Sequence, residues 1–495
     1  MLRIQTSLAL FAVSLAVVAG CSDDGTSSSP SPSPSPSPTS PTPTPTPGDA
    51  ASVRVVHASP DAPAVDVYVA GQSAPVVKGA KFGDASPYLS VPAGKYRFEI
   101  RPAGAPATDP AVLTTPELDV PAKGKITAIA AGLLAGKTDE DKLRVLAFAE
   151  GFKTAADKAT VRVVHASADA PTVGIDVGND DPSKPEIASL ARFADTGADG
   201  VQLPAGKALA LGVTAQGARV TAFTTPELPA GSELFVIATG LVGKLPRESS
   251  GFQLLAVGPA GAIGFVKQDP VVYALHASPD APDVDLFVGA NEIADNLGFG
   301  RISKPIQVPP GENTIDFFGT TAGSTRPAGA PAASKKTPKL EPGQRYLAAA
   351  TGFVARSGAA NAFTLEAQAE AFDLSDASKG VVRAWHASPD APAVDIGPIA
   401  GTSISPAFAG AAYPKATDPK GLALAPATLP LGVTPAGQNG SILFRFDVPV
   451  AAGVRAFAIA SGAVAPQASE KSFRLLVVDT APAAWTVAEV APKGD

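Results

Sequence analysis

One heptapeptide occurs four times in this chain and contains all four of its histidines. It reads HASPDAP from His57, HASADAP from His165, and HASPDAP again from His276 and His386. The histidines are 108, 111 and 110 residues apart, a period that has the size of a domain rather than of a solenoid repeat. This spacing predicts four tandem domains, over residues 51–160, 161–270, 271–380 and 381–495.

The pattern within each unit is typical of a β-sandwich. Short apolar runs are bounded by turn residues, and the chain has 50 Pro and 47 Gly. About seven such runs per unit match the strand number of an Ig-like sandwich. The predicted fold class is therefore all-β, with four tandem Ig-like β-sandwich domains after a signal peptide and a Pro-rich stalk. A repeat of domain size also predicts that residues 51–160 fold on their own.

The start of the chain resembles a bacterial lipoprotein signal. Residues 1–20 carry a short apolar run, and VAGC at Val18–Cys21 is similar to a lipobox. The resemblance implies cleavage before Cys21 and a lipid anchor on its thiol. The alternative is an ordinary signal peptide with an accidental cysteine. Cys21 is the only cysteine, which excludes an intrachain disulfide, and Ser22 after it favours the outer membrane or cell surface.

Residues 21–50 are predicted to form the anchor and a Pro/Ser/Thr-rich linker. Alternating proline from Ser27 to Gly48 favours a semi-rigid polyproline II stalk. The formal net charge of -7 offers no general attraction to nucleic acid. The expected partners are therefore the membrane, through Cys21, and an unknown extracellular glycan or protein, without nucleic acid.

The heptapeptide has the chemistry of a structural turn. Ser59 to Ala62 suit a type I turn, and Pro63 returns the chain to an extended conformation. The ring of His57 is expected to bond a backbone carbonyl or Asp61. The predicted turn residues are His57, Asp61, Pro63, His165, Asp169, Pro171, His276, Asp280, Pro282, His386, Asp390 and Pro392.

A metal or acid/base site is the alternative use of the same residues. His57, Asp61 and Asp66 are suitable ligand types, but Asp66 recurs only as Asp285 and Asp395, with Gly174 in the second unit. One His and one recurring Asp make a small ligand set. We therefore expect no cofactor, no metal and no enzyme activity. Two other candidates, the Asp-Thr-Gly at Asp195 and the acidic loop of Asp176, Asp180 and Asp181, lack the second motif or the spacing that their chemistry needs.

A family resemblance supports this interpretation. The stretch VRVVHASPDAPAVDVYV, followed by VPAGKY and ITAIAAG, resembles the domain-of-unknown-function family 4397. The resemblance covers nearly all of residues 51–489 and implies a β-sandwich fold in an extracytoplasmic setting, with no known reaction. The expected function is that of a lipid-anchored surface protein of the bacterial envelope, which presents tandem modules for binding, adhesion or spacing. The alternative is an extracytoplasmic metal-binding protein or enzyme that uses the His/Asp turns.

Overall fold

A computed structural model describes residues 50–321, 323–356, 358 and 361–493. Strands occupy about 49% of the described residues, and no helix is present among them. The prediction of an all-β, multi-domain fold is therefore confirmed. The described part of the chain likewise contains no helix that could span a membrane. The predicted signal peptide, Cys21 and the stalk up to residue 49 lie outside the described residues.

The first two repeats cover residues 51–157 (repeat 1) and 158–268 (repeat 2). The strands of repeat 1 are β1 (Ala51–His57), β2 (Val65–Val69), β3 (Val77–Ala80), β4 (Leu89–Val91), β5 (Gly94–Tyr96), β6 (Phe98–Pro102), β7 (Leu113–Thr114), β8 (Leu118–Val120), β9 (Lys125–Ala131) and β10 (Arg144–Ala149). Those of repeat 2 are β11 (Lys158–His165), β12 (Val173–Val177), β13 (Ile187–Leu190), β14 (Val201–Pro204), β15 (Ala210–Ala215), β16 (Ala218–Thr224), β17 (Glu233–Thr239), β18 (Gln253–Gly258) and β19 (Gly261–Lys267).

The other two repeats cover residues 269–379 (repeat 3) and 380–493 (repeat 4). Repeat 3 contains β20 (Val271–His276), β21 (Val284–Val288), β22 (Asn291–Leu297), β23 (Ile306–Gln307), β24 (Thr314–Gly319), β25 (Ala333–Lys336), β26 (Arg345–Thr351) and β27 (Thr364–Ala369). Repeat 4 contains β28 (Gly380–His386), β29 (Val394–Ala400), β30 (Ser403–Ile404), β31 (Phe408–Ala411), β32 (Leu422–Leu424), β33 (Ala427–Pro435), β34 (Phe444–Val450), β35 (Arg455–Ser461), β36 (Arg474–Asp479) and β37 (Thr486–Val490).

Every repeat is built from two sheets. The inner sheets have the strand orders β10-β9-β1-β4, β14-β11-β17-β18-β19, β23-β20-β26-β27 and β32-β28-β35-β36-β37. The outer sheets are β3-β2-β6-β7, β13-β12-β15-β16, β22-β21-β24-β25 and β30-β29-β33-β34, where β31 also pairs with β29; β5 and β8 form a separate ribbon. At the centre of each inner sheet, the strand that ends in the motif histidine runs parallel to a later strand, as β1 does to β9.

The repeats pack in two pairs, face to face through their inner sheets. Between repeats 1 and 2, a fully buried core joins Val56 and Ile129 of one repeat to Phe235 and Ile237 of the other. Repeats 3 and 4 share an equivalent core. Each inner sheet is therefore covered on both faces, which explains the near-continuous apolar runs of its central strands.

The even-numbered repeats carry a further strand that reaches their partner. From β19, Phe265 packs against Phe82 of repeat 1, with the ring centroids 5.3 Å apart. Just before β37, Trp485 stacks on Tyr273 of repeat 3 at 4.2 Å. Odd and even repeats are therefore not interchangeable, although their sheets share one plan.

The predicted domain boundaries need correction at two positions. The boundary between residues 160 and 161 falls inside β11, and the one between 380 and 381 falls inside β28. In the first case the strand begins at Lys158, directly after a turn in which the Lys158 amide donates to the carbonyl of Ala155. Residues 50–493 all belong to one compact unit, within which the four repeats are recognisable by their sheets.

Candidate functional site: the His/Asp corners

Each motif histidine lies at the end of the first strand of its repeat, with its ring turned into the protein. The Nε2 atom of His57 is 3.2 Å from the carbonyl oxygen of Pro63, the last residue of its heptapeptide. The corresponding distances from His165 to Pro171, His276 to Pro282 and His386 to Pro392 are 2.9, 3.0 and 2.9 Å. A carbonyl oxygen only accepts, so Nε2 carries the proton and donates in all four corners.

The rings are held in the neutral form. Burial lowers the pKa of each motif histidine below its ordinary value, and the hydrogen bond to the proline carbonyl opposes that shift only in part. The second ring nitrogen, Nδ1, is buried and has no hydrogen-bond partner in any of the four corners. These histidines therefore act as neutral donors that fasten the turn.

The motif aspartates bind a different part of the chain, not the histidine. The carboxylate of Asp61 accepts hydrogen bonds from the amides of Leu134 and Ala135, at 2.8 and 2.9 Å, in the loop after β9. The other three motif aspartates bind the two corresponding amides in their own repeats. Of the two partners expected for His57, the structure contains the backbone carbonyl and not Asp61.

The serine of the heptapeptide completes the corner. The hydroxyl of Ser59 donates to the carbonyl of Gly132 at 2.7 Å, and the equivalent serines make the same bond at 2.6–2.8 Å. Gly132 has a φ of 83°, and a Cβ atom there would lie 2.3 Å from the carbonyl oxygen of Lys142. Only glycine fits this position, which accounts for the glycine that ends ITAIAAG and its three counterparts.

The corners of paired repeats are also joined to each other. Ala58, the second residue of the first heptapeptide, is fully buried in the shared core, and its carbonyl accepts from the Thr239 hydroxyl of repeat 2 at 2.6 Å. In the second pair the link is reciprocal, from Thr351 to Ala387 and from Ser461 to Ala277. The heptapeptide is thus a joint between strands and also between repeats.

A second set of carboxylates has a similar role on the outer sheet. Asp66 accepts from the amides of Gly79 and Gly104, at 2.6 and 2.9 Å. Asp285 and Asp395 also bind two backbone amides each. At the equivalent position in repeat 2, a Cβ atom on Gly174 would lie 2.5 Å from the Thr214 hydroxyl. The recurrence of this aspartate in three units was visible in the sequence, but its backbone partners were not.

Most of the groups considered as ligands or catalysts are engaged in structural hydrogen bonds in this way, but Nδ1 of the four motif histidines and one carboxylate oxygen of Asp176 are buried without a partner in the described part of the chain. In the described residues, one cluster of three possible metal ligands is present, Asp285, Glu292 and Asp295, and it includes no motif histidine. Asp195 of the Asp-Thr-Gly triplet pairs with the buried guanidinium of Arg162 at 2.5 Å. The corners are therefore suited to hold strands, loops and repeats together.

Comparisons with known proteins fit this architecture. The sequence profile of a family described as "Domain of unknown function (DUF4397)" matches residues 51–176 and 270–397. Each match covers an odd-numbered repeat and extends into the second strand of its even-numbered partner. No curated protein matches the chain.

One solved structure that matches is titled "The Bacillus anthracis TIE protein". It is 10% identical, and the match covers 80% of this chain and 65% of that one, which is less than two thirds of its length. The TM-score is 0.13, which is too low to indicate a shared fold or function.

The family matches together span more than half of the 495 residues, and the chain therefore belongs to the DUF4397 family.

Proposed function

We propose that this chain is a lipid-anchored protein of the bacterial envelope, exposed at the outer membrane or cell surface, and that its paired β-sandwiches serve adhesion or spacing without catalysing a reaction. The proposal rests on how the motif residues are bonded in the corners. In every repeat the motif His, Asp and Ser are engaged by backbone groups of the same repeat. A residue set that repeats four times for a structural purpose supports a scaffold.

The paired architecture also supports a scaffold function. Two inner sheets that bury one continuous core between repeats limit their relative motion, because closely packed interiors do not slide freely. The Pro/Ser/Thr-rich linker predicted from the sequence would separate such pairs from a lipid anchor at Cys21. The surface ligand, if the function is adhesion, is a glycan or a protein.

The anchor is tested by replacing Cys21 with Ser. The proposal predicts that the wild-type chain partitions into the detergent phase and incorporates a fatty-acid analogue, and that Cys21→Ser loses both. Unchanged partition and unchanged labelling would contradict it. A glycan array and a pull-down against envelope components, both with the lipid-free chain, would then identify the ligand.

The alternative function, metal binding through the corners, has a separate test. Each motif Nε2 already donates to a carbonyl, so a metal ion at that atom would have to displace a structural hydrogen bond. The metal content of the purified chain measures this directly. We expect no stoichiometric zinc or calcium. A content near four ions per chain, one for each corner, would replace the scaffold proposal.

A further inference from the structure

The interiors of the four sandwiches differ in how well they are filled. Between its own two sheets, repeat 3 contains a cavity of about 400 Å³ and repeat 2 one of about 350 Å³. The corresponding cavities are about 20 Å³ in repeat 1 and about 40 Å³ in repeat 4. The same fold closes this space in two repeats, so the fold itself does not require the void. Empty apolar volume of this size is destabilising unless something occupies it.

The cavity in repeat 3 is apolar and reaches the surface. Its walls include Leu286 and Phe317 from the outer sheet and Ala348 and Ala350 from the inner sheet. It also borders β25 and β27, which are the outermost strands of the two sheets on that side. Val354, on the loop after β26, is another wall residue and is half exposed to solvent. The cavity therefore opens at one edge of the sandwich, and its size is that of a small-molecule site.

A single cation lies on the cavity wall. Lys335 of β25 extends towards Phe363, the residue before β27, and its Nζ atom is 5.6 Å from the centroid of that ring. It is half-buried and forms no ion pair with any residue in the described ranges. In repeat 2, the charged wall residue of the corresponding cavity is Glu227, an anion. The two large cavities therefore favour different ligands.

We propose that the cavity of repeat 3 binds a single-chain amphiphile, an unbranched acyl chain with a carboxylate head, with the chain between the sheets and the carboxylate at Lys335. An acyl chain matches an apolar space that is open at one edge, because each buried methylene is removed from water. The anionic head matches the one unpaired ammonium on the wall. This site is independent of Cys21 and of the anchoring proposal.

The first test blocks the cavity. The full chain carrying Cys21→Ser, which needs no detergent, is titrated with dodecanoate through displacement of a fluorescent naphthylamine probe. Ala350→Leu occupies the space of about two methylenes of the ligand, and we expect binding about 15-fold weaker, since each methylene contributes about fourfold in affinity. Ala130 is the matched control, because it pairs with His57 just as Ala350 pairs with His276.

The two alanine substitutions also differ in their effect on stability. Ala350→Leu enters an existing void and leaves the midpoint of urea unfolding unchanged or raised, whereas Ala130→Leu overpacks a filled interior and lowers it. Dodecanoate affinity should stay at the wild-type value in Ala130→Leu. Equal destabilisation by the two substitutions, or wild-type affinity in Ala350→Leu, would overturn the proposal.

The second test concerns the head group and does not depend on packing, since Lys335 is half-buried at the edge. Lys335→Gln should weaken dodecanoate binding about fivefold and leave dodecanol, which has the same chain without the charge, unaffected. Equal losses for both ligands, or no loss for either, would mean that Lys335 does not recognise the carboxylate. Binding that is abolished by Ala238→Leu in repeat 2 instead of Ala350→Leu would assign the ligand to the other cavity. Either outcome would contradict the proposal.

Discussion

The two repeat pairs bury the same strands against each other but fill the centre of the interface in different ways. In the first pair, the ring of Phe235 lies close to two guanidinium groups, with its centroid 5.1 Å from Arg54 and 5.4 Å from Arg162. Arg54 is almost fully buried, and it donates to the Thr127 hydroxyl at 2.7 Å and to the Gly258 carbonyl at 2.6 Å. A buried guanidinium charge is tolerated here because its N–H groups donate hydrogen bonds and its face lies near an aromatic ring.

In the second pair, one of the two guanidinium groups is replaced by stacked aromatics. Phe457 is the counterpart of Phe235, and Arg383 lies 5.7 Å from its centroid. On the odd-repeat side, Tyr273 stands where Arg54 stands in repeat 1, and it is stacked on Trp485. The comparison shows that the interface needs a flat, well-packed group at this position and that either a hydrogen-bonded guanidinium or an aromatic ring meets the requirement.

The largest effect is expected from removing the central ring. Phe235→Ala and Phe457→Ala should each lower the free energy of unfolding by about 3–5 kcal/mol. Phe235→Ala should be the more severe, because it leaves two buried guanidinium groups without the ring that covers them. Urea unfolding of the full chain measures both, and Val220→Ala, at a side chain that is 59% exposed, is the control. A greater loss from Phe457→Ala would show that the ring does not stabilise the two buried guanidinium groups of the first pair.

Substitutions in the corners are expected to lower the free energy of unfolding by less than loss of the central ring, and by equal amounts in both pairs. His57→Ala should cost about 1–3 kcal/mol, because it removes a buried ring that donates to the Pro63 carbonyl. Asp61→Ala should cost about 0.5–1.5 kcal/mol, because the carboxylate and the two amides that it binds are exposed to solvent. Their effects should add in the double variant, since His57 binds Pro63 and Asp61 binds the loop after β9. A double-mutant cycle on the same urea curves checks this. A coupling of 1 kcal/mol or more would mean that the two side chains interact after all, as in the other arrangement that the sequence left open.

The smallest effect concerns the one heptapeptide that lacks its first proline. Ala168 of repeat 2 occupies the position of Pro279 in repeat 3, and both lie in a bend of the chain. No hydrogen bond from the Ala168 amide occurs within the described residues. Ala168→Pro should therefore stabilise the first pair by about 0.4–1 kcal/mol by restricting the unfolded chain. Thermal unfolding measures this shift, and a lower midpoint would show that the second corner has a different backbone geometry.

The repeats, the β-class and the turn at the motif could be predicted because each depends on local sequence. The turn follows from Ser59 to Pro63 alone, and the four copies reveal the period. The partners of Asp61 could not be predicted, because Leu134 and Ala135 offer only backbone amides, which no residue pattern marks.

The pairing of repeats could not be predicted from the sequence either. Arg54 and Arg162 indicate a solvent-facing side of their strands, yet both are buried against the partner repeat. The sequence does contain one sign that odd and even repeats differ. Glu150 and Glu370 directly follow β10 and β27 of the odd repeats, where the even repeats have Pro259 and Thr480. This alternation indicates two kinds of repeat rather than four copies of one.

We infer that the folding unit is a pair of repeats. Repeat 1 alone would expose Val56 and Ile129, which are fully buried in the shared core. The direct measurement is thermal unfolding, followed by circular dichroism, of residues 50–157 alone and of residues 50–268. We predict a single cooperative transition for residues 50–268 and none for residues 50–157, although a domain-sized period by itself would favour an independent first unit. A cooperative transition of residues 50–157 at the midpoint of the longer chain would contradict the account.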